Sequence, residues 1–151
     1  MEVLMTDLDS RAITQALYRV ISQPDGARDW ESIRHLYHPH ATMTRTSAAV
    51  ESIPSNRCMT FDDYVNNVET NLAGAIFEEV ETGHHCERFG LVAHVRSTYE
   101  TVYRVGSSEI RARGVNFLIL AKLTDRWQII AIAWDNERAG LTIPDEWIDA
   151  G

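Results

Sequence analysis

The run Ala93-His94-Val95-Arg96-Ser97-Thr98-Tyr99 is the first place where this sequence offers acid–base chemistry. Imidazole titrates near neutral pH, so His94 can give or take a proton without a large perturbation. The run reads as a central strand, in which alternate side chains face opposite ways. If His94 faces a pocket it is the general acid or base, oriented by Tyr99 or a nearby carboxylate. In the other phase Ser97 and Tyr99 face inward instead, and His94 joins Arg96, Thr98 and Glu100 on an outward polar face. His94 and Tyr99 are therefore the candidate catalytic residues. Asp135 and Glu137 are carboxylates suited to a pocket rim.

Other chemistries are weakly supplied. His38-Pro39-His40 and His84-His85-Cys86 invite a metal, but neighbours on a strand point to opposite faces and cannot easily share an ion. Neither a metal nor a cofactor is expected. Nothing matches a phosphate loop, a nucleophile elbow or a nucleotide fingerprint. Cys58 and Cys86 stand in no redox or metal spacing, and two scattered thiols suit a reducing cytoplasm.

The elements that must position these residues follow from periodicity. Ile13, Leu17, Val20 and Ile21 recur at helical spacing behind an acidic start, and Pro24-Asp25-Gly26 stops the run. A second helix opens near Asp29, with Trp30, Ile33, Leu36 and Tyr37 on one face, and ends at His38-Pro39. Residues 41–47 read as a short strand, and 46–59 as an irregular stretch placed to act as a lid. Thr60-Phe61-Asp62-Asp63 opens a third helix striped by Phe61, Tyr64, Val65, Val68 and Leu72. From Phe77 onward Val, Ile, Thr, Tyr and Phe dominate, broken at Gly90, at Gly106-Ser107-Ser108 and at Thr124-Asp125. Four long strands joined by tight turns make an antiparallel meander, and helices followed by a meander make an α+β domain.

The 151 residues fit one domain spanning 1–151, able to bury a core without staples. A net charge of −8 speaks against nucleic acid as a partner. The acidic first ten residues resemble no signal or transit peptide, and the apolar blocks 115–121 and 127–134 are too short to span a membrane. Both faces of the last two strands are apolar, whereas a sheet wet on one side alternates cleanly. Three helices shield one face, so a second copy of the chain is expected on the other, as a homodimer.

Two segments carry a resemblance. Asp29-Trp30-Glu31-Ser32-Ile33-Arg34-His35-Leu36-Tyr37-His38-Pro39-His40-Ala41-Thr42 resembles the second-helix motif of the nuclear transport factor 2-like superfamily. Arg126-Trp127-Gln128-Ile129-Ile130-Ala131-Ile132-Ala133-Trp134-Asp135-Asn136-Glu137 resembles its last strand. With Arg113-Gly114-Val115-Asn116 and Glu87-Arg88-Phe89-Gly90, the chain looks most like the SnoaL-like, function-unassigned branch. The resemblance implies a cone: three N-terminal helices packed on a strongly curved antiparallel sheet, a pocket at the wide end, and dimers packed through the sheet.

Ketosteroid isomerases of this superfamily use an Asp base after the second helix, with a Tyr and a protonated Asp as oxyanion hole. Carried onto this chain, the base falls on Arg45, the oxyanion Asp on Ile119, and the Tyr on Leu17, beside Tyr18. Arginine cannot take a proton from carbon, so steroid-isomerase chemistry is not implied. The same register points Val115, Phe117, Ile119, Ile130, Ile132 and Trp134 into an apolar pocket, with Trp30 and Tyr37 on its helix side and Arg113 at its mouth. A one-residue slip would exchange inward for outward residues. The implied function is a small-molecule pocket, serving a cofactor-independent isomerase, cyclase, dehydratase or hydrolase on a small apolar carbonyl or polycyclic substrate. The alternatives are a dimeric module that binds a ligand or partner without chemistry, and a scaffold whose pocket is filled by side chains.

Overall fold

A computed structural model describes residues 7–47 and 56–149. The order is α1 (Ser10–Ile21), α2 (Glu31–Arg34), β1 (Tyr37–Arg45), β2 (Arg57–Met59), α3 (Phe61–Asn71), then β3 (Ile76–Phe89), β4 (Val92–Val105), β5 (Ser108–Leu123) and β6 (Arg126–Asn136). Asp9 caps α1 by accepting from the Ala12 amide. Thr60 and Asp63 cap α3 reciprocally, as the Thr-x-x-Asp spacing predicts. The four-strand meander turns at the breaks read from the sequence.

The second helix is shorter than its motif suggests. It is a single turn, and Tyr37 already begins a strand that runs through Pro39. Proline lacks an amide donor, and β1 is irregular between Tyr37 and Thr42, where that donor is not needed. β1 lies parallel to β6, so the sheet is mixed, in the order β2-β1-β6-β5-β4-β3, and is not wholly antiparallel. The stretch expected to be irregular ends in β2, which pairs with β1; residues 48–55 of the expected lid lie outside the described residues.

Bulges at Glu81/Gly83 and Ile119/Leu120 bend the sheet around the helices. The core joins Ile13, Ile21 and Ile33 to Met43, Val95, Leu118, Leu120, Trp127 and Ile129. The far side of the sheet is partly covered by the chain's own C-terminal segment. Trp147 packs edge-on against Phe117 and under the Arg96 guanidinium, and the Asp149 amide bonds the Thr82 carbonyl. Among the described residues no helix is long and apolar enough to cross a membrane.

Candidate active site

Between α1, α3 and the inner face of the sheet lies a cavity of about 340 Å³. Its walls are largely apolar: Leu17, Ile21, Met43, Val68, Phe77, Ile132 and Trp134. Its polar groups converge from every wall: Tyr18 from α1, Tyr37 and Arg45 from β1, Tyr64, Asn67 and Asn71 from α3, Glu79 from β3, Tyr99 and Thr101 from β4, Asn116 from β5 and Asn136 from β6.

Glu79 is held from both sides. The Ser22 hydroxyl, at the end of α1, bonds the Glu79 backbone at both its amide (2.9 Å) and its carbonyl (3.2 Å). The side chain makes no hydrogen bond among the described residues, and burial pushes its carboxyl up to about 8. At neutral pH it is mostly a neutral acid with a proton to give.

Two residues along the same face of β3, Glu81 has the opposite fate. It accepts from the Ser97 hydroxyl at 2.5 Å and from His84 Nδ1 at 2.9 Å. Burial pushes this carboxyl up, but those bonds outweigh it and hold Glu81 below the usual value. An ionised carboxylate only accepts, so the shared proton sits on His84 Nδ1. His84 Nε2 lies 2.8 Å from the Ser10 hydroxyl, at the start of α1.

These bonds fix the direction of the next ones. Ser97 spends its single proton on Glu81, so Tyr18 donates to Ser97 at 2.6 Å and accepts from Asn116 Nδ2 at 3.0 Å. A continuous chain thus runs from the cavity through Tyr18, Ser97, Glu81 and His84 to Ser10. Burial, then the nearby Glu79, pushes the Tyr18 phenol above its ordinary range. Tyr99 is raised likewise and donates to Asn136 Oδ1 at 2.6 Å. That bond crosses β5 at Gly114, where a β-carbon would collide with both the Asn136 oxygen and the Tyr99 hydroxyl. The Tyr64 and Tyr37 hydroxyls, raised by burial, have no hydrogen-bond partner among the described residues.

Of the residues singled out from sequence, Tyr99, Tyr37, Ile132 and Trp134 line this cavity. His94 does not. It is exposed on the outer face, where Nε2 meets Glu87 at 3.2 Å, and it stands opposite Ile119 on β5. Val115, Phe117 and Ile119 also point outward, with Phe117 46% and Ile119 42% exposed. The reason is register: Trp134 pairs with Asn116 and Ile132 with Leu118, so the even positions of β5 share the inner face. Ile130 sits in the bulge that separates the Leu120–Ile129 and Ile119–Ala131 pairs, outside the cavity lining. Arg113 lies on the outer face, 3.3 Å from Glu137. Trp30 is core: its ring is edge-on to Phe61 and Tyr64, and its indole N–H donates to Glu69 at 2.9 Å. Asp135 pairs with Arg138. His84 and His85 face opposite ways, His84 toward α1 and His85 toward Glu87 on the exposed side.

Sequence reasoning missed Tyr18, Glu79, Glu81, His84, Asn116 and Asn136. The sequence leaves the phase of β3 open: in Phe77-Glu78-Glu79-Val80-Glu81, Phe77 argues for Glu79 and Glu81 facing the core and Val80 for the opposite, and the structure takes the first, with Val80 exposed.

No family model and no curated protein matches the chain. Solved structures do. The Kfla4162 protein of Kribbella flavida is 11% identical, with a TM-score of 0.65 over 85% of this chain and 90% of that one. A nuclear transport factor 2-like protein of Cytophaga hutchinsonii is 12% identical, with a TM-score of 0.61 over 84% and 98%. A protein from Streptomyces avermitilis, provisionally called a dehydratase of the nuclear transport factor 2-like family, is 11% identical, with a TM-score of 0.60 over 82% and 90%. At these identities the likeness shows the fold alone.

Proposed function

The chain has the nuclear transport factor 2-like fold, and from that premise we propose that its cavity is the active site of a cofactor-independent acid–base enzyme. The substrate is a small, largely apolar carbonyl compound, and the reaction begins with proton removal beside the carbonyl. One observation carries the reading: two carboxyls on one strand face are driven apart, Glu79 toward the acid and Glu81 toward the carboxylate. Carboxyls split in this way are the usual mark of a matched acid and base.

The roles follow from the bond directions. Tyr18 offers the cavity an oxygen lone pair, because its proton is committed to Ser97. As a substrate C–H proton reaches that oxygen, the phenol proton passes to Ser97 and the Ser97 proton to Glu81. Glu79 gives its proton to the carbonyl oxygen, forming an enol, or to a hydroxyl on the next carbon, which leaves as water. Exchange with solvent resets both carboxyls. The dehydratase label on the Streptomyces avermitilis protein fits the second course. Proton transfers of this kind contribute typically 10²–10⁴-fold in rate.

Butyrophenone, an aryl ketone small enough for the cavity, tests this. In deuterated buffer the protein should catalyse exchange of the protons beside the carbonyl, and Glu79→Gln and Tyr18→Phe should each remove most of that rate. Binding without exchange would favour the non-catalytic binding module instead.

The outer face supports a second copy of the chain as partner, since Phe117 and Ile119 remain exposed there, Phe117 beside the groove over Trp147. Sedimentation equilibrium should give twice the 17.1 kDa chain mass, and Phe117→Glu should shift it toward monomer.

A further inference from the structure

Arg45 is the only cation lining the cavity among the described residues, and Glu79 the only acid. It follows Met43 on the inner face of β1, and the two line the same wall. Its Nε is buried without a hydrogen-bond partner, and the guanidinium makes no ion pair among the described residues. The residue as a whole is only part-buried, but an N–H withdrawn from water and left unpaired is costly, and an arginine N–H so placed is ordinarily met by a carboxylate or another strong acceptor.

The neighbouring strand adds to this deficit. Arg45 stands directly opposite Arg57 in the β1–β2 ladder. Opposed residues share a sheet face, and like charges there repel. A chain with 22 acids to 14 Lys and Arg has nonetheless set no described acid against this pair. The cavity's own acid does not compensate, because burial keeps Glu79 neutral at pH 7. The occupied cavity therefore calls for negative charge at the β1 end.

We propose that Arg45 binds a carboxylate on the ligand, so that the substrate is a carbonyl compound carrying an acid group. This rests on the reading of the cavity as an acid–base ligand site and adds the substrate's charge to it. The guanidinium fork pairs with a carboxylate through parallel N–H bonds that a lysine cannot reproduce. A neutral ligand of the same shape would leave the buried Nε–H unmet.

The test compares β-benzoylpropionate with butyrophenone, which carries a methyl group in place of the carboxylate. By calorimetry the protein should bind the keto acid at least about tenfold more tightly, in the range of one charge-assisted contact. Arg45→Met should erase that preference while still binding butyrophenone, and Arg45→Lys should keep part of it. In the unsubstituted protein the Arg45 Nε–H resonance should move with the keto acid and not with the ketone, which tests the contact even if Arg45→Met does not fold. Equal affinities for the two ligands would overturn the proposal and leave the acid–base site standing. A preference that survives in Arg45→Met would also overturn it. Failure of both ligands to bind would overturn the proposal and the acid–base reading together.

Discussion

Glu79 and Glu81 stand two residues apart on one face of β3, yet at neutral pH one keeps its proton and the other has lost it. Chain position does not separate them; their neighbours do. Glu79 meets cavity wall and no donor, whereas Glu81 meets Ser97 and His84. Alternation along the strand brings both carboxyls inward, and α1 decides what each one finds, through Ser22 at its end and through Tyr18, Thr14 and Ser10 along its buried side.

The first prediction concerns rate against pH. As a general acid Glu79 acts while protonated, so exchange of the butyrophenone protons should be level in mild acid and fall as pH rises through about 8. Glu79→Gln should lower the rate and remove that inflection. A rate rising through the same range would assign Glu79 as the base and reverse the proposed roles.

The second concerns stability. The folded-state carboxyl of Glu79 lies above its ordinary value of 4.5. Between that value and about 8 the unfolded chain releases a proton that the folded chain retains, so stability falls as pH rises, by at most about 1.4 kcal/mol per unit. Below this window the contribution vanishes; above it the full penalty stays. Denaturant unfolding of the native chain and of Glu79→Gln from pH 5 to pH 9 should diverge steadily, with Glu79→Gln gaining. Parallel curves would mean that Glu79 is not buried in its neutral form.

The sequence carried the architecture further than the site. Turn residues at Gly90, Gly106 and Asp125 bound the meander, and the Thr60–Asp63 spacing marks α3, because each is a local device whose chemistry is visible in a few residues. The inner face of β5 was not legible in that way. Val115, Phe117 and Ile119 are as apolar as Leu118 and Leu120, so hydrophobicity cannot choose the phase, and the bulge at Ile130 breaks the count on β6. The outer residues are apolar partly because Trp147 lies on Phe117, a contact between distant parts of the chain. Glu79 and His84 gain their chemistry only by being pressed against α1, some sixty to seventy residues earlier.

The third prediction separates two members of the β4 strand. Ser97→Ala cuts the chain of hydrogen bonds between Tyr18 and Glu81, leaving a buried carboxylate short of a donor, and should cost about 1–3 kcal/mol of stability. It should also reduce proton exchange by about 10²-fold or more, because Tyr18 then has nowhere to pass its proton. His94→Gln, on the exposed side of the same strand, should change stability by less than about 0.5 kcal/mol and leave exchange and butyrophenone binding untouched. Loss of exchange in His94→Gln would place the chemistry on the other face of the sheet.

The fourth prediction concerns Gly114, in the middle of β5, where a missing side chain is what lets the strand be crossed. Tyr99 from β4 and Asn136 from β6 both pair with Gly114 in the sheet, and their side chains meet directly above its α-carbon. A methyl group there would occupy the space of the Tyr99 hydroxyl and the Asn136 oxygen at once. Gly114→Ala should therefore push the phenol aside, break the 2.6 Å bond and destabilise the fold by about 1–3 kcal/mol, the usual range for overpacking. The strand itself would gain from alanine, since glycine weakens a sheet interior, so a purely local effect predicts the opposite sign. Tyr99→Phe separates the two contributions: it removes the hydroxyl without adding bulk. Gly114→Ala combined with Tyr99→Phe should cost less than the sum of the single changes, because the alanine then meets one obstacle fewer. Additive costs would show that Tyr99 and Gly114 are not coupled and that the glycine serves the backbone alone.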